Sequence, residues 1–145
     1  VISLDYIAGF IDGEGCISIS MLTKRENLTF CPKITICNTD KIVLINIQKF
    51  LHEKFNTGGS LSLDCKHKKG KWKDAWVLCF GSKADLITLC TAIKSLLLIK
   101  AKQAQLILDF YNHKDSNHYR MTDDMRFHRA FIYTKMRQLN GKGGD

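Results

Sequence analysis

Alternation between apolar and polar positions changes period several times along the chain, and each change marks an element. Ser3 reads as a helix N-cap, with Asp5 in a first turn that the helix dipole favours for an acid. An apolar helix then runs to about Asp12, and Gly13 and Gly15 end it. From Cys16 to Leu22 the period drops to two. Ile17, Ile19 and Met21 share one face while Ser18, Ser20 and Leu22 share the other, the pattern of a half-buried strand. Polar residues from Thr23 to Asn27 make a turn. A second strand covers about Phe30 to Asn38, with Ile34 and Ile36 inward and Lys33, Thr35 and Cys37 outward. Pro32 points to the strand's start or to an edge position.

Asn38 or Thr39 is expected to cap a helix from about Asp40 to Phe55, on which Val43, Ile47, Phe50 and Leu51 keep the 3.6-residue period. Asn56-Thr57-Gly58-Gly59 breaks it. A third strand, Ser60 to Lys66, turns around Lys69-Gly70 into a fourth, Trp72 to Phe80. Trp76 shares its parity with Leu78 and belongs to the core. Ser82 and Asp85 form a capping box for a helix striped by Leu86, Leu89, Cys90, Ile93 and Leu97. A break near Leu98 to Lys100 precedes another helix to about Tyr111. Residues Asn112 to Met121 read as loop, and Thr122 caps a last helix that stops at Asn140-Gly141. The order α-β-β-α-β-β-α-α-α implies an α+β fold in a single domain over 1–145. One antiparallel sheet is covered by helices on one side, and its other face, rich in Ser, Thr, Lys and Asp, is left to solvent or a polar ligand.

Charge adds a partner class. Twenty-two Lys+Arg against 14 Asp+Glu give +8, an excess that suits an anionic partner, most often nucleic acid. A basic face that is merely solvated is the plainer alternative. No apolar run is long enough to suggest a membrane span. The six cysteines include no Cys-x-x-Cys pair and no Cys/His spacing of a zinc site. They read as small packing residues, and because the opening Val1-Ile2-Ser3-Leu4-Asp5 lacks the pattern of a signal peptide, a reducing compartment and an intracellular, non-secreted protein are expected.

The chemistry concentrates in Tyr6-Ile7-Ala8-Gly9-Phe10-Ile11-Asp12-Gly13-Glu14-Gly15. Glycine inside a helix costs ~1 kcal/mol relative to alanine, so Gly9 needs a reason. Ala8, Gly9 and Gly13 place small residues where a second helix could approach closely. Glu14 lies at a helix C-terminus, where the dipole disfavours an acid. Beside free backbone carbonyls, such a carboxylate is a candidate site for a hard cation. A buried helix with an exposed terminal acid is the bland alternative.

This string resembles the signature of the LAGLIDADG homing endonucleases, position by position from Ile7 to Gly15 with conservative changes. The resemblance implies a saddle-shaped sheet on an α-β-β-α-β-β-α core, with extra C-terminal helices. It implies that the signature helix packs on its counterpart across a two-fold axis, with Ala8, Gly9, Asp12 and Gly13 in the seam. Glu14, helped by the Gly13 carbonyl, would bind Mg2+ (or Mn2+ or Ca2+) beside the scissile phosphates. With one copy of the signature, the protein is expected to be a homodimer on a long, pseudo-palindromic double-stranded DNA site. Lys100, in a stretch that resembles the family's segment after the third helix, is the candidate active-site cation, with Lys102 competing. Asp40 stands where the family often has a glutamine that organises water; an N-terminal acid favoured by the helix dipole is the equal alternative.

The sheet supplies candidate DNA contacts at Ser18, Ser20, Leu22, Lys24, Lys33, Thr35, Ser60, Ser62, Asp64, Lys66, Lys73, Ala75 and Val77, because a twisted antiparallel ribbon fits the major groove. Lys66, Lys68, Lys69, Lys71 and Lys73 crowd one hairpin tip suited to phosphates. The expected activity is site-specific, metal-dependent cleavage of one phosphodiester per strand, in intron homing. An RNA maturase or DNA-binding protein on the same fold, without cleavage, is the alternative, and a basic protein binding nucleic acid nonspecifically is a further one.

Overall fold

A computed structural model of the chain describes residues 1–25, 27–65, 73–116 and 120–141. Among them the order is α1 (Leu4–Glu14), β1 (Gly15–Lys24), β2 (Asn27–Asn38), α2 (Lys41–Phe55), β3 (Ser60–Cys65), β4 (Ala75–Phe80), α3 (Lys83–Ile93), α4 (Ala101–Tyr111) and α5 (Asp123–Leu139). This is the element order expected from the sequence. The sheet is antiparallel in the order β1-β2-β4-β3.

One face of the sheet makes the core. Ile17, Ile19, Ile34, Ile36, Leu78 and Phe80 are buried and share one parity, as the alternation requires. They meet the buried residues of the helices, among them Ile7 and Ile11 of α1, Leu44, Ile47 and Leu51 of α2, Leu86 and Leu89 of α3, and Ile107 and Phe110 of α4. The opposite parity is never buried, so that face is open.

Boundaries moved where local chemistry decided them. α1 continues to Glu14, past the expected stop at Asp12, because Gly15 is the cap and its N–H donates to the Ile11 carbonyl. A Cβ at Gly15 would lie 2.8 Å from the Ile11 backbone, so glycine is what lets the chain leave the helix straight into β1. The hairpin arms are also longer than expected, and the chain turns at Arg25, which has φ 50. Pro32 is inside β2, paired with Ile19, rather than at its start. β4 pairs with β2 only from Ile34 onward, so at Pro32 the other side of the strand lacks a ladder partner among the described residues, and the edge expectation is met in the middle of a strand.

The cap of α2 is Asp40, not Asn38 or Thr39. Its carboxylate accepts from the Ile42 amide at 2.9 Å and the Val43 amide at 3.3 Å, while Asn38 accepts the Asp40 amide at 2.8 Å. α3 stops at Ile93, and Leu97 is buried from the connection that follows. β4 starts at Ala75 rather than Trp72. Trp76 packs against the core with the Lys41 ammonium 4.0 Å above its ring. Ser82 and Thr122 cap α3 and α5 as expected.

Candidate active site at the end of the first helix

α1 has two faces. Ile7, Ala8 and Ile11 are buried in this chain's own core. Gly9 and Gly13, four residues apart, share the opposite face. Both are exposed, and a Cβ at either would meet nothing within 4 Å. The bare strip is flanked by Tyr6, itself 42% exposed, whose ring lies 5.7 Å from that of Phe10. The expected seam therefore needs correction at Ala8: its methyl is fully buried inside the monomer and faces away from any partner.

Asp12 also departs from a seam role. Its carboxylate accepts from the amides of Leu98 at 2.7 Å, Ile99 at 3.2 Å and Lys100 at 3.0 Å. Lys100 is the N-cap of α4 and makes no side-chain cap bond of its own; Asp12 instead accepts the amide of that N-cap residue and of the two residues before it, which fixes the entry to α4 against α1. Partial burial raises the Asp12 pKa, but the three amide bonds and the Lys100 charge outweigh it and hold the carboxyl below its ordinary value. The latch has a second strand, because the Lys100 ammonium donates to the Asp12 carbonyl. A cation at the C-terminal carbonyls of α1 complements the dipole, and it stands two residues from Glu14. Sequence reasoning placed Lys100 here but missed Asp12 as its tether. The available signal was an acid in the last turn of a helix, which the dipole disfavours unless donors come from elsewhere.

Glu14 is exposed at the junction of α1 and β1. On the open sheet face beside it, the Cys37 thiol is pushed up first by burial, then by the Asp64, Cys16 and Glu14 charges. Glu14, Cys16 at the start of β1, Cys37 near the end of β2 and Asp64 of β3 thus lie in one electrostatic neighbourhood. Lys102, the competing cation, is exposed on α4. Asp40 is committed to capping α2, so its acid has the structural job that the helix start requires.

The outward parity carries the remaining candidates. Ser18 pairs with Lys33. Thr35 stands opposite Cys16 on one side and Cys79 on the other. Val77 faces Ser62, and Cys79 faces Ser60. Ser20, Leu22 and Lys24 continue along β1, where Leu22 is 55% exposed. Ala75 pairs with Cys65, and the register shifts between Leu63 and Cys65, setting Asp64 out of step. Lys73 is exposed ahead of β4. Lys66, Lys68, Lys69 and Lys71 lie outside the described residues.

The donor set fits a hard divalent cation in part. Glu14 offers carboxylate oxygens, and the last carbonyls of α1, including that of Gly13, have no intrahelical donor. No group of three or more His, Cys, Asp or Glu side chains able to hold a metal occurs among the described residues. No helix among them is long and apolar enough to cross a membrane.

Comparison with known proteins places the chain in a family and matches its fold. A family described as LAGLIDADG endonuclease matches residues 7–114. The homing endonuclease I-CvuI, solved with a DNA target in the presence of Mg, superposes with a TM-score of 0.74 at 20% identity, covering 94% of this chain and 80% of that one. The archaeal intron-encoded homing endonuclease I-Vdi141I, complexed with DNA, gives 0.73 at 18% identity over 94% and 82%. The homing endonuclease I-TnaI gives 0.69 at 17% identity over 97% and 95%. At these identities the likeness is one of fold. No curated protein matches the chain.

Proposed function

The chain belongs to the LAGLIDADG endonuclease family, and on that premise we propose that it is a site-specific double-strand DNA endonuclease of the homing type, a homodimer that works with a divalent cation. The observation that carries the proposal is the face of α1, where a bare glycine strip ends in an exposed Glu14 and the Lys100 ammonium is held on the carbonyl of Asp12, two residues before it. A strip without side chains, on a helix that gives up stability to have it, is suited to a copy of itself. Leu98 and Ile99, 92% and 70% exposed and held at the end of α1 by Asp12, would extend that contact with apolar surface.

In such a dimer the two Glu14 carboxylates come together at the axis, and with the Gly13 carbonyls they complete an oxygen shell that one chain leaves open. A divalent cation there, Mg2+ above all, would supply Lewis-acid stabilisation of phosphoryl oxygens and a more acidic water. Glu14 holds the cation and fixes its place relative to the sheet. Lys100, oriented by the Asp12 carbonyl, places a positive charge where negative charge develops on the scissile phosphate. Asp12 touches no substrate; it is a positioning residue that holds the backbone of Lys100.

The open sheet face would then lie in the major groove on each side of the axis, with Ser18, Ser20, Lys24, Lys33, Thr35, Ser60, Ser62, Asp64 and Lys73 offering donors and acceptors. Leu22, Ala75 and Val77 would offer contacts for thymine methyl groups. Lys66, Lys68, Lys69 and Lys71 belong to the same expected interface through their charge. The presence of Glu14 favours cleavage over a maturase or binding protein that lacks it. The test is selection from duplexes with a randomised core, incubated with the protein in Mg2+ or in EDTA. The proposal expects cut molecules only with Mg2+, sharing one long sequence with two related half-sites. Cut molecules without a common sequence would refute site specificity.

A further inference from the structure

A second surface, on the other side of the β1–β2 hairpin, has features that the duplex interface does not use. Where the hairpin extends beyond β4, its helix-side residues Leu28 and Phe30 face the first turns of α5 across a groove of about 650 Å3. That volume is within the range of small-molecule sites. Phe127, 79% exposed, walls the groove from α5, and Leu28, 53% exposed, walls it from the strand. Large apolar groups this exposed on a basic protein need a partner or a reason.

Among the described residues the polar lining is cationic on balance: Arg126 and Arg129 both line the groove, against the one carboxylate of Asp123. Arg126 reaches Asp123 only at 3.5 Å in an exposed pair, which holds neither side chain firmly. Arg129 is the unusual member. Half-buried, with its guanidinium 4.6 Å from the Phe110 ring, it has an Nε with no hydrogen-bond partner, and no carboxylate pairs with it among the described residues. A half-buried guanidinium without an anion is costly unless something supplies one. The basic character continues around the hairpin end through Lys24 and Arg25, which share a shallower depression with Asn27 and Thr29.

Aromatic and aliphatic walls do not suit the phosphate ridge of a duplex, whose bases are stacked out of reach. They suit an unpaired base, with arginines placed for the adjoining phosphate. We propose that this groove binds an unpaired nucleotide of single-stranded nucleic acid, with the base against Phe127 and Leu28 and the phosphate at Arg126 and Arg129. Because the groove lies behind the hairpin, duplex DNA on the open sheet face leaves it accessible, and the two ligands can be held together.

The test is fluorescence anisotropy with labelled oligouridine and oligodeoxyuridine of about 12 nucleotides, within the span one binding module covers. Each is titrated at physiological salt with and without excess unlabelled mixed-sequence duplex. Binding should persist with the duplex present. Phe127→Ala should weaken it roughly five- to hundredfold, the range for loss of one stacked base, and Arg129→Gln should do the same. Should Arg129→Gln misfold, Phe127→Ala alone decides, since that ring is mostly in solvent. Lys49→Ala, at an exposed position of α2 outside both the groove and the open sheet face, should leave single-strand affinity unchanged. A preference for oligouridine identifies RNA through the 2′-hydroxyl as the source, and equal binding identifies unpaired strands of either kind. Displacement of the single strand by duplex, or Phe127→Ala without effect, would overturn the proposal, and neither result touches the duplex-cleavage reading.

Discussion

Lys100 and Asp12 depend on each other, and their separate jobs can be told apart by substitution. Lys100→Met removes the ammonium held at the Asp12 carbonyl and keeps most of the side chain's bulk. Cleavage should fall about 10²–10³-fold, the usual cost of losing one charge-stabilising donor, while duplex affinity changes little. Lys102→Met, on an exposed position, should leave the rate near wild type. Single-turnover rates on the selected duplex check both. Asp12→Ala removes the acceptor for the Leu98, Ile99 and Lys100 amides and should cost about 1–2 kcal/mol, since these hydrogen bonds are partly open to water. The Asp12 carboxyl titrates below its ordinary 3.8 in the folded chain, so its stabilisation is present above that pH and is lost as pH falls through the lowered folded value. Urea midpoints of wild type and Asp12→Ala should therefore converge in acid and stay apart at neutral pH.

At the scale of elements, what the sequence made legible followed local rules. Caps at Ser3, Ser82 and Thr122 depend on residues three positions away, and the period-two strands declare their inward face without knowing their neighbours. The bare strip at Gly9 and Gly13 could be anticipated because glycine inside a helix costs stability and small residues at helical spacing leave room for a second helix. The destination of Asp12 could not, because its partners lie 86 to 88 residues downstream in a connection with no periodicity of its own. Ala8 was misassigned for a related reason. Its smallness suits a helix seam and a tight core equally, and only the orientation of α1 on the sheet separates the two. Asp40 shows the limit of resemblance, since its side chain is accounted for by the start of α2. Gly15 offers a test at this scale: Gly15→Ala places a methyl 2.8 Å from the Ile11 backbone, where nothing can yield, and should destabilise the chain by about 1–3 kcal/mol in denaturant melts.

On the proposed function the molecule is half of an active unit. A monomer presents one glycine strip, one Glu14 and one open sheet face, and a two-fold axis along the strip would make all three complete. Gly9→Leu tests the seam cleanly, since its Cβ meets nothing in the monomer and leucine favours helix over glycine by somewhat less than 1 kcal/mol. The variant should melt no earlier than the isolated wild-type chain, yet sediment as a monomer at concentrations where wild type is dimeric. A fully dimeric Gly9→Leu would place the interface elsewhere.

The most direct measurement is double-strand cleavage of the selected duplex by wild type and by Glu14→Gln, with Mg2+ present and binding followed in the same samples. The account predicts that the variant holds the duplex with nearly wild-type affinity and cuts neither strand, because the lost charge removes the cation and not the sheet contacts. Cleavage at an undiminished rate by Glu14→Gln would contradict it.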